Sequence, residues 1–242
     1  MGHLAPNAYR AVILTAGVGA RVGAFTQSLS KAMLPINHQP VISHIVTKFH
    51  PATPIVIALG HKGDALRAWL EADFPDRRFV FVAVDRYTGE GSGPGYSLLC
   101  CRSELQCPFV FYAVDTLVTG EVPAPTRNWF GVATVPDTAR FCSVRFDGHR
   151  RITRIDDKTK NDNTDAFIGL AGVADYATFW HSLETDRGLI AGERQVSNGF
   201  RGLMESSAGL FAENFSWFDT GTAEEYGRTR RHFETHPEQW AR

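Results

Sequence analysis

Residues 11–15 form a short, unbroken apolar run, AVILT, and the same texture returns at 54–60 (PIVIALG), 79–84 (FVFVAV) and 108–115 (PFVFYAVD). Runs of this length without alternation are the pattern of strands buried on both faces, as in parallel sheets. Helical spacing separates them. Pro40 can open a helix reaching Phe49, with Val41, Ile42, Ile45 and Val46 as its apolar stripe; Leu66, Trp69 and Leu70 mark a second over 62–73, and a short third is expected over 97–105. Buried strands alternating with helices predict an α/β fold, a doubly wound and mainly parallel sheet with right-handed crossovers.

Past Gly120 the texture changes. Strand-like runs at 129–135, 141–146, 151–155 and 167–173 are separated by polar turns, and helical stretches follow near 175–183 and 195–205. Residues 210–211 and 215–218 read as closing strands, and 222–236 as a charged helix. No repeat, low-complexity tract or Pro/Ser linker divides the chain. The expectation is one domain over 1–242, with a second half, about 121–242, whose mixed sheet covers a cleft in the first, about 10–120.

Composition changes this picture little. Hydrophobic residues make up 43% and charged residues 21%, which excludes a disordered chain. Lys plus Arg is 25 against 26 Asp plus Glu, a net charge of −1, so nothing marks a nucleic-acid or anionic-membrane binder. A small anionic ligand needs only a few cations in one cleft. Cys100, Cys101, Cys107 and Cys142 show no CxxC spacing and read as reduced thiols of a cytoplasmic protein. The opening MGHLAPNAYR lacks the basic and apolar regions of a signal peptide, and Pro6 stands where a myristoylation signal has Ser or Thr. No apolar run approaches the roughly 20 residues of a membrane span.

The chemistry concentrates at strand ends. After the first strand, Gly17 and Gly19 uncover backbone amides against which a phosphate chain can lie, with Leu14 and Ala16 leading into the turn. Val22 breaks a dinucleotide GxGxxG, and no GK[ST] follows to make a Walker loop. Arg21 and Lys31 follow instead; a guanidinium can bridge phosphate oxygens that two amides cannot neutralise. Asp115 ends the fourth apolar run, in the crevice where open α/β sheets bind ligands, and is either a metal ligand or the cap of the next turn. Asp219 is a second candidate carboxylate; alternatively Asp219 or Thr220 caps the last helix, for which Thr222, with Glu225 three residues on, is also available.

The stretch LTAGVGARVGAFTQSLSKAMLPINHQPVI resembles the signature of sugar-phosphate nucleotidyltransferases: LxAGxGxR, about ten residues, then KxxxP and a Pro-led helix. The resemblance implies a Rossmann-like fold in which Ala16, Gly17, Gly19 and Arg21 bind nucleotide phosphates and Lys31 contacts phosphate across the cleft. It makes Asp115 a Mg²⁺ ligand, although Val114 stands where the family usually has glycine. WFDTGTAEEY resembles the family's W-x-D-x-G-T segment and gives Asp219 as the second Mg²⁺ ligand. IDDKTK is similar to the family's Glu-Lys-Pro, without the proline, and offers Lys158 to the acceptor. The loop GEGSGPGYS resembles the base-recognition loop, implicating Gly91, Ser92 and Gly93, with Gly60 beside them.

The implied reaction moves NMP from an NTP, CTP or UTP favoured, to a phosphorylated acceptor such as a sugar 1-phosphate or another small phosphorylated compound, releasing pyrophosphate. Such enzymes typically serve capsule or surface-glycan assembly. The chain as given stops shortly after these segments, so a monofunctional enzyme is expected. Other chemistries fit less well. His232 and His236 are four apart, but HFETH is not HExxH and offers no third ligand. A glycosyltransferase using nucleotide sugars would show DxD where Asp115-Thr116-Leu117 stands; a non-catalytic nucleotide binder needs only the phosphate loop.

Overall fold

The computed structural model describes residue 5 and residues 8–186 and 188–236. The first half follows the apolar pattern. Strand β1 (Arg10–Leu14) runs into the signature loop, which continues through 3₁₀ turns at Ala20–Thr26 and Lys31–Met33. A small ladder, β2 (Pro35–Ile36) with β3 (Gln39–Pro40), leads into α1 (Val41–Val46). Then come β4 (Ile55–Leu59), α2 (Gly63–Asp73), β5 (Phe79–Ala83), α3 (Pro94–Cys100) and β6 (Phe109–Ala113).

The third helix starts three residues before the expected Ser97 and gives way to a 3₁₀ turn at Arg102–Glu104. Pro94 at its first position fixes φ near the helical value without costing a hydrogen bond, which moves the start forward. The first helix is shorter than expected at both ends: Pro40 is extended and pairs with Pro35, and after Val46 the N–H groups of Lys48 and Phe49 turn back to the Ile45 and Val46 carbonyls, three residues before them.

The remaining elements are β7 (Thr116–Val118), β8 (Trp129–Thr134), β9 (Cys142–Phe146), β10 (Ile152–Asp157), β11 (Asp165–Val173), α4 (Tyr176–Thr185), β12 (Leu189–Ile190), β13 (Glu193–Arg194), α5 (Ser197–Glu205), β14 (Phe211–Asn214), β15 (Trp217–Asp219) and α6 (Ala223–Thr235). A nine-stranded sheet runs in the order β10-β9-β11-β6-β1-β4-β5, with β8 and β14 branching from β11. The ladder β6-β1-β4-β5 is parallel, while β11 enters antiparallel to β6 and joins the second half to the first. This is the mixed, mainly parallel α/β sheet the sequence predicts.

Two apolar layers enclose the sheet. One packs Ile13, Ile57 and Tyr112 against α1 and α6 residues such as Ile45 and Phe233; the other packs Val12, Phe111 and Phe130 against Phe179 and Phe200 of α4 and α5. Among the described residues, no helix is long and apolar enough to cross a membrane.

Candidate active site

The ends of β1, β4 and β6 lie side by side because these strands are parallel neighbours, so the loops leaving them meet. Leu14 is buried at the end of β1, and Ala16, also buried, begins the turn. Gly17 is exposed, with open space where a Cβ would project. Gly19 adopts φ +69, a conformation that favours glycine, and a Cβ there would stand 2.9 Å from Thr26 Cγ2. Gly60 is held by contact with this turn: its Cβ would fall 2.6 Å from the Ala16 carbonyl oxygen, and the His61 N–H donates to that oxygen at 2.9 Å. Its smallness therefore serves the close approach of the β4 end to the signature loop.

The 3₁₀ turn at Lys31 carries a buried lysine whose Nζ donates to Asp115 Oδ2 at 2.8 Å. Burial works to raise the Asp115 pKa, but the charge and hydrogen bond of Lys31, with the field of Arg21, outweigh it and hold the carboxyl below its ordinary value. Arg21 is exposed and has no ion-pair partner among the described residues.

Asp219 arrives by a different route. Strand β15 pairs antiparallel with β7 in a register that sets Asp219 opposite Thr116. The Thr220 N–H and hydroxyl bond the Asp115 carbonyl oxygen at 2.9 and 3.1 Å, which locks the two turns together. Oxygens of both carboxylates approach the same point: a Cβ on Gly221 would lie 2.7 Å from Asp219 Oδ1 and 3.5 Å from Asp115 Oδ2. Burial and the neighbouring Asp115 push the Asp219 pKa up to about 6, despite a 2.6 Å hydrogen bond from the Gly221 N–H. The Thr222 hydroxyl caps α6 by accepting from the Glu225 N–H. Asp219 is therefore not needed as the cap.

Strand β11 bends beside this pair. Its register shifts between Phe167 and Ala171, and Gly169, at φ +80, passes Ala113 so closely that a Cβ would stand 2.7 Å from Ala113 Cβ.

Lys158 lies elsewhere. It follows β10 with a left-handed φ of 49°, its N–H donates to the Phe141 carbonyl, and its ammonium pairs with Glu193 at 3.3 Å. The Phe141 ring meets Trp217 edge-on at 5.7 Å, which links Lys158 to the strand carrying Asp219. Lys158 has no contact with Lys31 or Asp115.

The loop containing Gly91, Ser92 and Gly93 borders a cavity of about 520 Å³ that also has Val18 of the signature loop in its wall. A larger cavity, about 720 Å³, opens between Leu29, Lys62 and Arg67. Neither has Asp115 or Asp219 in its wall; Gly60 lines the larger, while the smaller joins both glycine-bearing loops through Val18 and Ser92. Sequence reasoning missed the β12–β13 hairpin, whose Ala191 and Gly192 complete that wall. Its strands are too short for periodicity to reveal.

A family model described as MobA-like NTP transferase domain matches residues 11–150. The chain belongs to that family. It is 22% identical over 221 residues to the bifunctional protein GlmU of Methanococcus vannielii, an alignment covering 87% of this chain and 51% of that protein. The chain thus spans about half the length of the curated relatives it matches. Its fold is similar to that of UDP-glucose pyrophosphorylase complexed with UDP-glucose (TM-score 0.80, 16% identity, 94% and 98% of the two chains). It is similar also to that of CTP:phosphocholine cytidylyltransferase from Streptococcus pneumoniae (TM-score 0.71, 16% identity, 93% and 99%).

Proposed function

We propose that this chain transfers NMP from an NTP to a small phosphorylated acceptor, the first half holding the NTP and the second half, from about 121, the acceptor. The observation that carries this is the convergence of Lys31, Asp115 and Asp219 at the mouth of the signature loop. Family membership supports the NTP side of the reading.

The residues fit a hard divalent cation. Two carboxylates approach one point, and burial together with the nearby Asp115 raises the Asp219 pKa; Mg²⁺ would remove the repulsion between the two. Asp115 and Asp219 would hold the ion, which would supply charge neutralisation at the α-phosphate. The chain's own groups do the rest. Amides of Gly17 and Gly19 and the Arg21 guanidinium bind the β- and γ-phosphates and stabilise the departing pyrophosphate. Lys31 offsets the charge gathered around Asp115. Lys158, on the acceptor half, receives the acceptor phosphate.

An acceptor phosphate oxygen attacks the α-phosphorus, the α–β P–O bond breaks, and pyrophosphate leaves. The acceptor is already ionised, so no general base is required and positioning dominates. The favoured nucleotide is CTP, then UTP, and the acceptor a sugar 1-phosphate or a phosphorylated amino alcohol, for capsule or surface-glycan assembly in the cytoplasm. The test is a pyrophosphate-release screen of four NTPs against both acceptor classes with Mg²⁺. Turnover with at least one pair is expected, and its absence across the panel would defeat the assignment.

A further inference from the structure

The glycine loop does not stand alone. The β12–β13 hairpin, Leu189 to Arg194, lies against it as a short extra strand: the Gly91 N–H donates to the Gly192 carbonyl at 2.8 Å, and the Arg194 N–H donates to the Ser92 carbonyl at 2.7 Å. The approach is too close for side chains. A Cβ on Gly93 would stand 2.8 Å from the Arg194 carbonyl oxygen, and one on Gly95 would stand 2.7 Å from the Gln195 carbonyl oxygen. Two glycines of the run are therefore accounted for by the hairpin rather than by a ligand.

The hairpin is firmly rooted and strained at its tip. The Arg194 guanidinium donates to carbonyls at the end of α4, those of Leu183, Glu184 and Asp186, and Asn198 donates to Asp186 and Gly188. At the tip, Ala191 and Gly192 have φ values of 53° and 79°, the two left-handed positions of a tight hairpin turn. Alanine is disfavoured there, and such a conformation persists only where its surroundings hold it. Within the same half of the chain, Glu193 accepts from Lys158 at 3.3 Å and from Gln195 at 3.1 Å.

We propose that this hairpin is the positioning element of the nucleotide pocket, fixing the Gly91–Gly93 backbone through main-chain pairing, and that Glu193 is the positioning residue tying it to Lys158. The inference rests on the reading of Gly91, Ser92 and Gly93 as the nucleotide-binding loop. It also specifies which main-chain groups remain for the base, since the Gly91 N–H and the Ser92 carbonyl are committed to the hairpin.

The test measures amide hydrogen exchange across residues 86–98 together with the Kd of CTP, UTP, ATP and GTP, in the wild type, Ala191→Pro, Ala191→Gly and Glu193→Gln. Proline cannot adopt positive φ, so A191P is expected to raise exchange at Gly91 at least tenfold and to weaken the bound NTP about tenfold. The A191G variant, which relieves the strain, is expected to leave both unchanged or tighter. The E193Q variant loses a half-exposed ion pair, so Gly91 exchange is expected to rise by about twofold to fivefold. Unchanged Gly91 exchange in A191P, with the far-UV spectrum intact, overturns the proposal. If A191P fails to fold, E193Q decides: Gly91 exchange unchanged from the wild type overturns the proposal. Should the wild type bind none of the nucleotides, the reading of the loop as a nucleotide site falls, while Gly91 exchange still reports whether the hairpin orders it.

Discussion

Lys31 places its ammonium 2.8 Å from Asp115 Oδ2, joining a residue of the signature loop to one at the end of β6 that lies 84 positions later. Both are at least partly buried, so removing one leaves the other's charge poorly compensated, at a cost of about 1–3 kcal/mol. Lys31→Met is expected to lower Tm by several degrees, measured by thermal denaturation at pH 7. It is also expected to reduce pyrophosphate release by at least about 10²-fold, the scale of a lost electrostatic contact at the reacting centre.

Asp219 carries the opposite sign. Its carboxylate is disfavoured in the folded protein by burial and by Asp115, so neutralising it relieves strain. Asp219→Asn is expected to raise the Tm of metal-free protein by about 2–4 °C, the equivalent of about 1 kcal/mol for a chain of this size. Millimolar Mg²⁺ is expected to raise the Tm of the wild type and to leave that of the variant unchanged, while turnover in the variant falls at least about 10²-fold. Differential scanning fluorimetry with and without Mg²⁺ reads both effects.

Gly60 separates packing from chemistry. A methyl group there would enter the Ala16 backbone at 2.6–2.8 Å, so the turn must shift. Gly60→Ala is expected to raise the KM for NTP about tenfold while leaving the far-UV spectrum unchanged. An unaltered KM would mean that the turn does not touch the nucleotide.

A pH dependence comes from beneath the site. His44, in α1 next to the Lys31 turn, is buried with Nε2 2.9 Å from the Ile36 carbonyl oxygen, and burial, aided by Lys48, lowers its pKa below 6.5. A depressed histidine contributes stability that is present above its unfolded value near 6.5 and lost as pH falls through the folded value. The His44 contribution is therefore expected to be lost as pH falls below 6.5, and His44→Met to lose less stability on acidification than the wild type, in urea titrations at several pH values.

The strands and most helices were legible because their signals are local: AVILT and FVFYA declare buried strands, and Thr222 with Glu225 declares a cap. The signature likewise led to Lys31, Asp115 and Asp219, which the fold gathers by parallel strand order and by the β7–β15 register. What was not legible was non-local. A run of glycines announces a close approach without naming what approaches, and here that is the segment from Glu193 to Gln195. The hairpin turn uses Ala191 where Asn or Gly is usual, so no turn signal marked it. The Lys158 partner, Glu193, lies 35 residues away on an element the periodicity did not reveal.

NMP transfer itself is measured by following the label of [α-³²P]CTP or [α-³²P]UTP in the presence of Mg²⁺ and a phosphorylated acceptor. Acceptor-dependent transfer of labelled NMP onto the acceptor phosphate is expected, with one pyrophosphate per transfer and loss of both in Asp115→Ala. Label that remains in NTP with every acceptor, or transfer at the wild-type rate in Asp115→Ala, would contradict it.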